Sequence, residues 1–158
     1  MAGGKAMILS AQSIRALRPV EPFCERGVIR GRSYGLSVSG YDIRVTETIT
    51  LMPGQFSLVS SVERFTMPDN ILALVKDKSS WARLGLSVFN TVIEPGWCGY
   101  LTLELKNQGN QGFRIESGDP IAQILFHRLD EPAEKPYSGK YQNQQSGPQP
   151  AQFEGDSQ

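Results

Sequence analysis

The densest group of chemically capable side chains lies at Lys78-Ser79-Ser80-Trp81-Ala82-Arg83-Leu84-Gly85. Adjacent hydroxyls, a Lys and an Arg, closed by a Gly, supply what a polyphosphate requires. These are hydroxyl and main-chain donors, a concave turn of N–H groups and a guanidinium fork. Taken alone, the stretch also fits a solvated turn followed by a short helix capped by Ser79. A second segment, Asn90 to Gly99, reads as a hairpin turning at Pro95-Gly96. A hairpin tip can present main-chain donors and acceptors to the edge of a flat base, and Glu94 could act there as a general base. An ordinary surface hairpin with a solvated Glu has the same pattern. In a third segment, Tyr100 to Leu105, alternation puts Leu101, Leu103 and Leu105 on one face and Tyr100, Thr102 and Glu104 on the other. A carboxylate on a central strand facing a pocket is a candidate proton carrier with a raised pKa. The plain alternative is a Glu facing solvent from a one-sided sheet. His127 has no visible triad partner and is given no catalytic role. Cys98 reads as a small buried residue.

These segments sit in a chain of 158 residues, long enough for one domain with a real core. Ile8–Leu17 reads as a short helix, with Ser10 as N-cap, Ile14 and Leu17 on one face, and Pro19 and Pro22 ending it. From Leu36 the pattern changes to short apolar segments: Tyr41–Val45, Ile49–Leu51, Gln55–Ser61, Leu72–Lys76, Leu86–Phe89, Gly99–Leu105, Gly112–Ile115 and Pro120–His127. Breaks such as Met52-Pro53-Gly54, Pro68-Asp69-Asn70 and Ser117-Gly118-Asp119 separate them. Such spacing predicts an all-β barrel or double-sheet jelly roll. The expected organisation is a flexible start (1–6), a β domain (7–136) and a tail (137–158) rich in Gln, Ser, Gly and Pro. Composition reads that tail as disordered. Its Lys140 and Tyr141 leave open a segment that orders over a ligand.

Composition narrows the function. Sixteen basic residues balance sixteen acidic ones, which gives no reason to expect a nucleic-acid polymer or an anionic membrane as partner. A small anionic ligand needs only one local basic cluster. No apolar run approaches the roughly 20 residues of a membrane helix, and MAGGKAMILS lacks the apolar core of a signal peptide. With Cys24 and Cys98 as the only cysteines no disulfide framework is expected, and the default setting is a reduced cytoplasm. One His and two distant Cys cannot build the zinc site of metal-dependent nucleobase deaminases.

Together the segments resemble dCTP deaminases and their dUTPase relatives, in the same order along the chain. The pattern opens with a short helix, then a Tyr-Asp-Ile-Arg strand (Tyr41–Arg44). A Ser-Ser-x-x-Arg-x-Gly element (Ser79–Gly85) and Ile-Glu-Pro-Gly-Trp-x-Gly (Ile93–Gly99) follow. Leu103-Glu104, Tyr137 and Lys140-Tyr141-x-x-Gln144 complete it. The resemblance implies a homotrimer of distorted jelly rolls with sites between subunits and Mg²⁺ carried on the triphosphate. It implies that Ser79, Ser80 and Arg83, with Lys78, hold phosphates or position water. Glu104 becomes the proton shuttle. Asn90, Thr91, Val92 and Trp97 belong to the base pocket, and Tyr137, Lys140 and Gln144 close over the triphosphate.

The chain departs from the family pattern in three places. Lys78 stands where Arg is usual, so a bidentate fork becomes a point charge. Glu94 stands where Asp is usual; in the dUTPase branch that Asp orients the water attacking the α-phosphate. The loop between Leu86 and Ile93 has the dUTPase-like length, whereas deaminases carry a longer one around a Thr-Ala pair. The expected activity is deamination of dCTP. The alternatives are dUTP pyrophosphatase, both activities together, or an inactive dNTP-binding relative.

Overall fold

A computed structural model describes residues 5–155. Its strands and helices, in chain order, are β1 (Met7–Ile8), α1 (Ala11–Leu17), β2 (Val20–Glu21), β3 (Gly27–Ile29), β4 (Arg32–Leu36), β5 (Tyr41–Arg44), β6 (Ile49–Leu51), β7 (Phe56–Thr66), β8 (Ile71–Asp77), α2 (Ser79–Ala82), β9 (Leu86–Val88), β10 (Val92–Ile93), β11 (Cys98–Asn107), β12 (Phe113–Ile115) and β13 (Pro120–Arg128). One sheet runs β10-β8-β13-β5-β4-β3, with β1 added to β13; a second runs β2-β7-β11-β9; β12 and β6 form a third. Every named strand pairing is antiparallel. The core lies between the sheets, where Tyr41, Ile43, Ile124 and Phe126 of one meet Val59, Phe65, Leu103 and Leu105 of the other, all fully buried. Each such Leu or Phe contributes about 1.5–3 kcal/mol. This is the all-β, jelly-roll-type fold the spacing predicts. Among the described residues, no helix is long and apolar enough to cross a membrane.

Several local expectations are corrected. The N-terminal helix starts at Ala11, because Met7–Ile8 is drawn into a strand beside His127–Arg128. Ser10 takes the N-cap position without a side-chain cap bond. Ser79 is the first residue of α2 rather than its cap, which is Lys78. The β3–β4 hairpin, missed in the sequence, turns on Arg30-Gly31, both with positive φ (46° and 74°). That is the two-residue turn whose twist suits a hairpin.

The Pro95-Gly96 turn closes as expected, with the Trp97 amide donating to the Glu94 carbonyl at 3.1 Å. It is not a hairpin, however. β10 pairs with β8 in one sheet, and β11 pairs with β7 and β9 in the other. The turn is a corner between sheets, anchored by Trp97 packing on Phe65 at 6.0 Å. In β11 the alternation breaks at a bulge between Tyr100 and Thr102. Leu103 and Leu105 are fully in the core, while Leu101 is half-buried: it packs against the core and also borders the cavity that Thr102 and Glu104 line. Cys98 is half-buried rather than buried.

The described part of the tail lies along the start of β11. The Tyr137 amide donates to the Pro95 carbonyl, the Asn143 amide to Cys98, and the Tyr100 amide to Gln144 (2.8–2.9 Å). Gln142 accepts from the Cys98 amide at 2.8 Å and donates to the Gly96 carbonyl at 2.9 Å. Gly99 permits this approach: its φ is +147°, and a Cβ there would sit 2.7 Å from the Gln144 nitrogen. Composition could not show this docking, because main-chain groups and Gln amides make it. Residues 1–4 of the expected flexible start and 156–158 of the tail lie outside the described residues.

Candidate active site

The candidate site residues, Lys140 excepted, line two separate cavities of the single chain. The first, of about 520 Å³, is formed by the outer part of β11, the segment 90–94, Trp97, Phe56 and Leu58 of β7, and the tail. It brings together Glu104, Glu94, Asn90, Thr91, Val92, Trp97, Tyr137 and Gln144. The second, of about 410 Å³, is formed by the β3–β4 turn and α2, and holds Lys78, Ser79, Ser80 and Arg83 with Gly31, Arg32 and Ser33. Lys140 lines neither; its ammonium lies 3.4 Å from Glu154 and over the Tyr141 ring.

The first cavity has the character of a small-molecule site: mostly apolar walls with a few convergent polar groups. Glu104 enters it from β11, held at its flanks by core residues Leu103 and Leu105. Burial raises the Glu104 carboxyl above the ordinary carboxylate range, partly opposed by a main-chain hydrogen bond. Glu94, on the corner turn, is exposed at the same cavity. Asn90 lines the cavity, but its amide is engaged with β11: Nδ2 donates to the Thr102 carbonyl at 2.8 Å, and Oδ1 accepts from the Glu104 amide at 3.1 Å. The tail closes one side. Gln144 Nε2 and the Gln149 amide both donate to Thr102 Oγ1 (2.8 and 3.1 Å), and the Trp97 indole donates to the Tyr141 carbonyl at 2.7 Å.

In the second cavity the two cations inherited from the motif differ. Lys78 is largely buried, and its ammonium lies 2.7 Å from Asp42 Oδ2 and 3.4 Å from Ser33 Oγ. Arg83 is exposed on α2. Trp81, between them, is locked inward by donating to the Pro120 carbonyl at 2.8 Å, and Arg32 lies over its ring at 4.2 Å. The indole thus fixes which way the hydroxyls and Arg83 face. Sequence reading missed Gly31, Arg32, Ser33, Gln149 and Asp42. The Tyr-Asp-Ile-Arg strand carried a signal for Asp42, and the structure gives that motif a supporting role. The Tyr41 hydroxyl accepts from the Cys24 amide, Asp42 pairs with Lys78, and Arg44 pairs with buried Glu63 at 2.9 Å. Among the described residues no group of three or more His, Cys, Asp or Glu side chains forms a metal cage.

A family model described as dCTP deaminase-like matches residues 9–129. The chain belongs to the dCTP deaminase-like family. It is 36% identical over 159 residues to a dCTP deaminase of Campylobacter fetus, spanning 80% of this chain and 86% of that protein. Identity to a dCTP deaminase of Thermococcus kodakarensis is 35% over 144 residues, 86% of this chain and 92% of the relative. Among solved structures, the dCTP deaminase of Agrobacterium tumefaciens superposes with a TM-score of 0.64 at 17% identity, covering 78% of this chain and 49% of that one. The EIAV dUTPase superposes with a TM-score of 0.56 at 18% identity, covering 85% and 97%. These superpositions place the fold in the dUTPase-like class, and the relatives make the chain an enzyme of the dCTP deaminase type.

Proposed function

We propose that this protein hydrolyses the exocyclic amine of dCTP, giving dUTP and ammonia, in sites completed between the subunits of a homotrimer. The observation that carries the reading is Glu104, a half-buried carboxylate with a raised pKa in an apolar-walled cavity of about 520 Å³. Deamination adds water to C4 of cytosine and expels ammonia, so protons must move both ways. Ionised Glu104 takes a proton from the water as the C4–O bond forms and delivers it to N3; it then takes the proton of the new C4 hydroxyl and delivers it to the amine, so that the carbonyl forms as the C4–N bond breaks and ammonia leaves. Thr91, Val92 and Trp97 frame the base, and Tyr137 and Gln144 close that side.

The cations and hydroxyls of α2 line a different cavity of the same chain. The proposed trimer brings Ser79, Ser80 and Arg83 of one subunit to the Glu104 cavity of its neighbour. There they hold phosphates and steady the charge that develops on the water. Lys140 joins them once it leaves Glu154. Mg²⁺, carried by the triphosphate, neutralises part of the phosphate charge.

One observation favours a second reading: Glu94 shares the cavity with Glu104. A base at Glu94 could activate water against the α-phosphate of dUTP and release pyrophosphate. Separate incubations with dCTP and dUTP, with products identified, test both readings. Ammonia and dUTP from dCTP support deamination. Pyrophosphate from dUTP adds the second activity. No turnover of either nucleotide sinks both.

A further inference from the structure

On one edge of β11, pairing with β7 continues through Thr102, Leu103 and Glu104, opposite Ser60, Val59 and Leu58. On the other edge, ladder pairing with β9 stops at Leu105, opposite Val88. The Phe89 amide still donates to the Glu104 carbonyl at 2.9 Å, after which the chain leaves towards β10. The Glu104 amide and the Thr102 carbonyl face that vacated edge, and the Asn90 side chain meets both. A primary amide carries one carbonyl and one N–H₂ group, so it can replace a strand residue's main chain.

We propose that Asn90 is a positioning residue for Glu104: its side-chain amide completes the strand edge on both sides of Leu103 and so fixes how the Glu104 carboxyl enters the cavity. Leu103 is fully buried, which pins the middle of the tripeptide. Asn90 pins its two ends. Without it, a main-chain donor and an acceptor beside the site lose their partners and draw water in. Water there lessens the burial that raises the Glu104 carboxyl. The other titratable groups lining the cavity are Glu94, Tyr137 and Tyr141, none of which touches this amide bridge. The role assigned to Glu104 rests on the deamination reading; the hold of Asn90 on Glu104 does not.

The test is a ¹³C NMR titration of glutamate-labelled protein, with the Glu104 carboxyl signal assigned by its loss in Glu104→Gln. In Asn90→Ala the Glu104 carboxyl is expected to titrate at lower pH than in the wild type. In Asn90→Asp, which keeps an acceptor for the Glu104 amide but adds a negative charge, it is expected to titrate at higher pH. The downward shift in Asn90→Ala separates positioning from a general loss of stability, and if that variant does not fold Asn90→Ser, too short to bridge both main-chain groups, is expected to shift the same way and decides the matter in its place. With dCTP as substrate, both variants should lower kcat by about 10- to 100-fold with little change in KM, the scale of a small misplacement. Coincident Glu104 titrations in the folded variants and wild type overturn the proposal, as does a rise in KM with kcat intact. If the wild type releases no ammonia from dCTP, the deamination reading fails while the NMR titrations still decide the role of Asn90.

Discussion

Replacing Lys78 by Arg should stabilise the protein. Asp42 accepts from Lys78 through Oδ2 at 2.7 Å, with side-chain exposures of 8% for Asp42 and 12% for Lys78, while Asp42 Oδ1 is buried with no partner among the described residues. An ammonium is a point donor, whereas a guanidinium offers two parallel N–H groups to a carboxylate. The adjoining cavity of about 410 Å³ gives the longer side chain room. Satisfying a buried charged acceptor contributes about 1.5–3 kcal/mol, and ordering the Arg side chain offsets part of it, leaving about 1–2 kcal/mol. At about 2–4 °C per kcal/mol for a chain of this size, Lys78→Arg should raise Tm by about 2–8 °C. Lys78→Ala strands a buried carboxylate and should cost about 3–5 kcal/mol, or about 6–20 °C. Differential scanning calorimetry near neutral pH measures both. An Arg variant that melts at or below the wild type, while the Ala variant loses stability as stated, would refute the claim that Oδ1 lacks a partner.

Glu94→Gln should leave ammonia release from dCTP within about threefold of wild type while removing any pyrophosphate release from dUTP, because only the second chemistry gives Glu94 the general-base role. Because burial raises the Glu104 carboxyl, the folded state holds that proton more tightly than the unfolded state. Stability therefore falls as pH rises from the ordinary carboxylate value through the raised one. Urea melts across that window should show the fall in the wild type and a smaller one in Glu104→Gln. Truncation after Ser138 removes Gln144 and Gln149 from Thr102 and should weaken dNTP binding by about tenfold or more, the loss of one to two hydrogen bonds, with the β domain still folded by circular dichroism. Light scattering at micromolar concentration should give a trimer, and a monomer there would contradict the shared-site proposal.

Period-two patterning made the Glu104 face legible. It holds wherever a strand is regular, and Leu103 and Leu105 fall in the core while Thr102 and Glu104 do not face it with them. It held only in part at Leu101, which packs on the core yet borders the cavity too, because a bulge shifts register without a residue type that announces it. Turn chemistry located Pro95-Gly96, but which strands flank a turn as partners is a global choice, made here by Trp97 entering the core. The Asp42–Lys78 pair joins residues 36 apart in the chain, so spacing could not reveal it. Only the side-chain geometry shows that Lys78 is tied to Asp42 and Asn90 to β11, two residues whose types alone suggested contact with a ligand.

The central claim is that Glu104 carries the protons of deamination, and initial-rate ammonia release from dCTP by Glu104→Gln tests it most directly, with dCTP binding measured in parallel by calorimetry. The variant should bind dCTP within a few-fold of wild type and release ammonia roughly 10²-fold more slowly or worse, the scale of losing a general acid–base. Wild-type ammonia release from a folded Glu104→Gln protein would contradict the account.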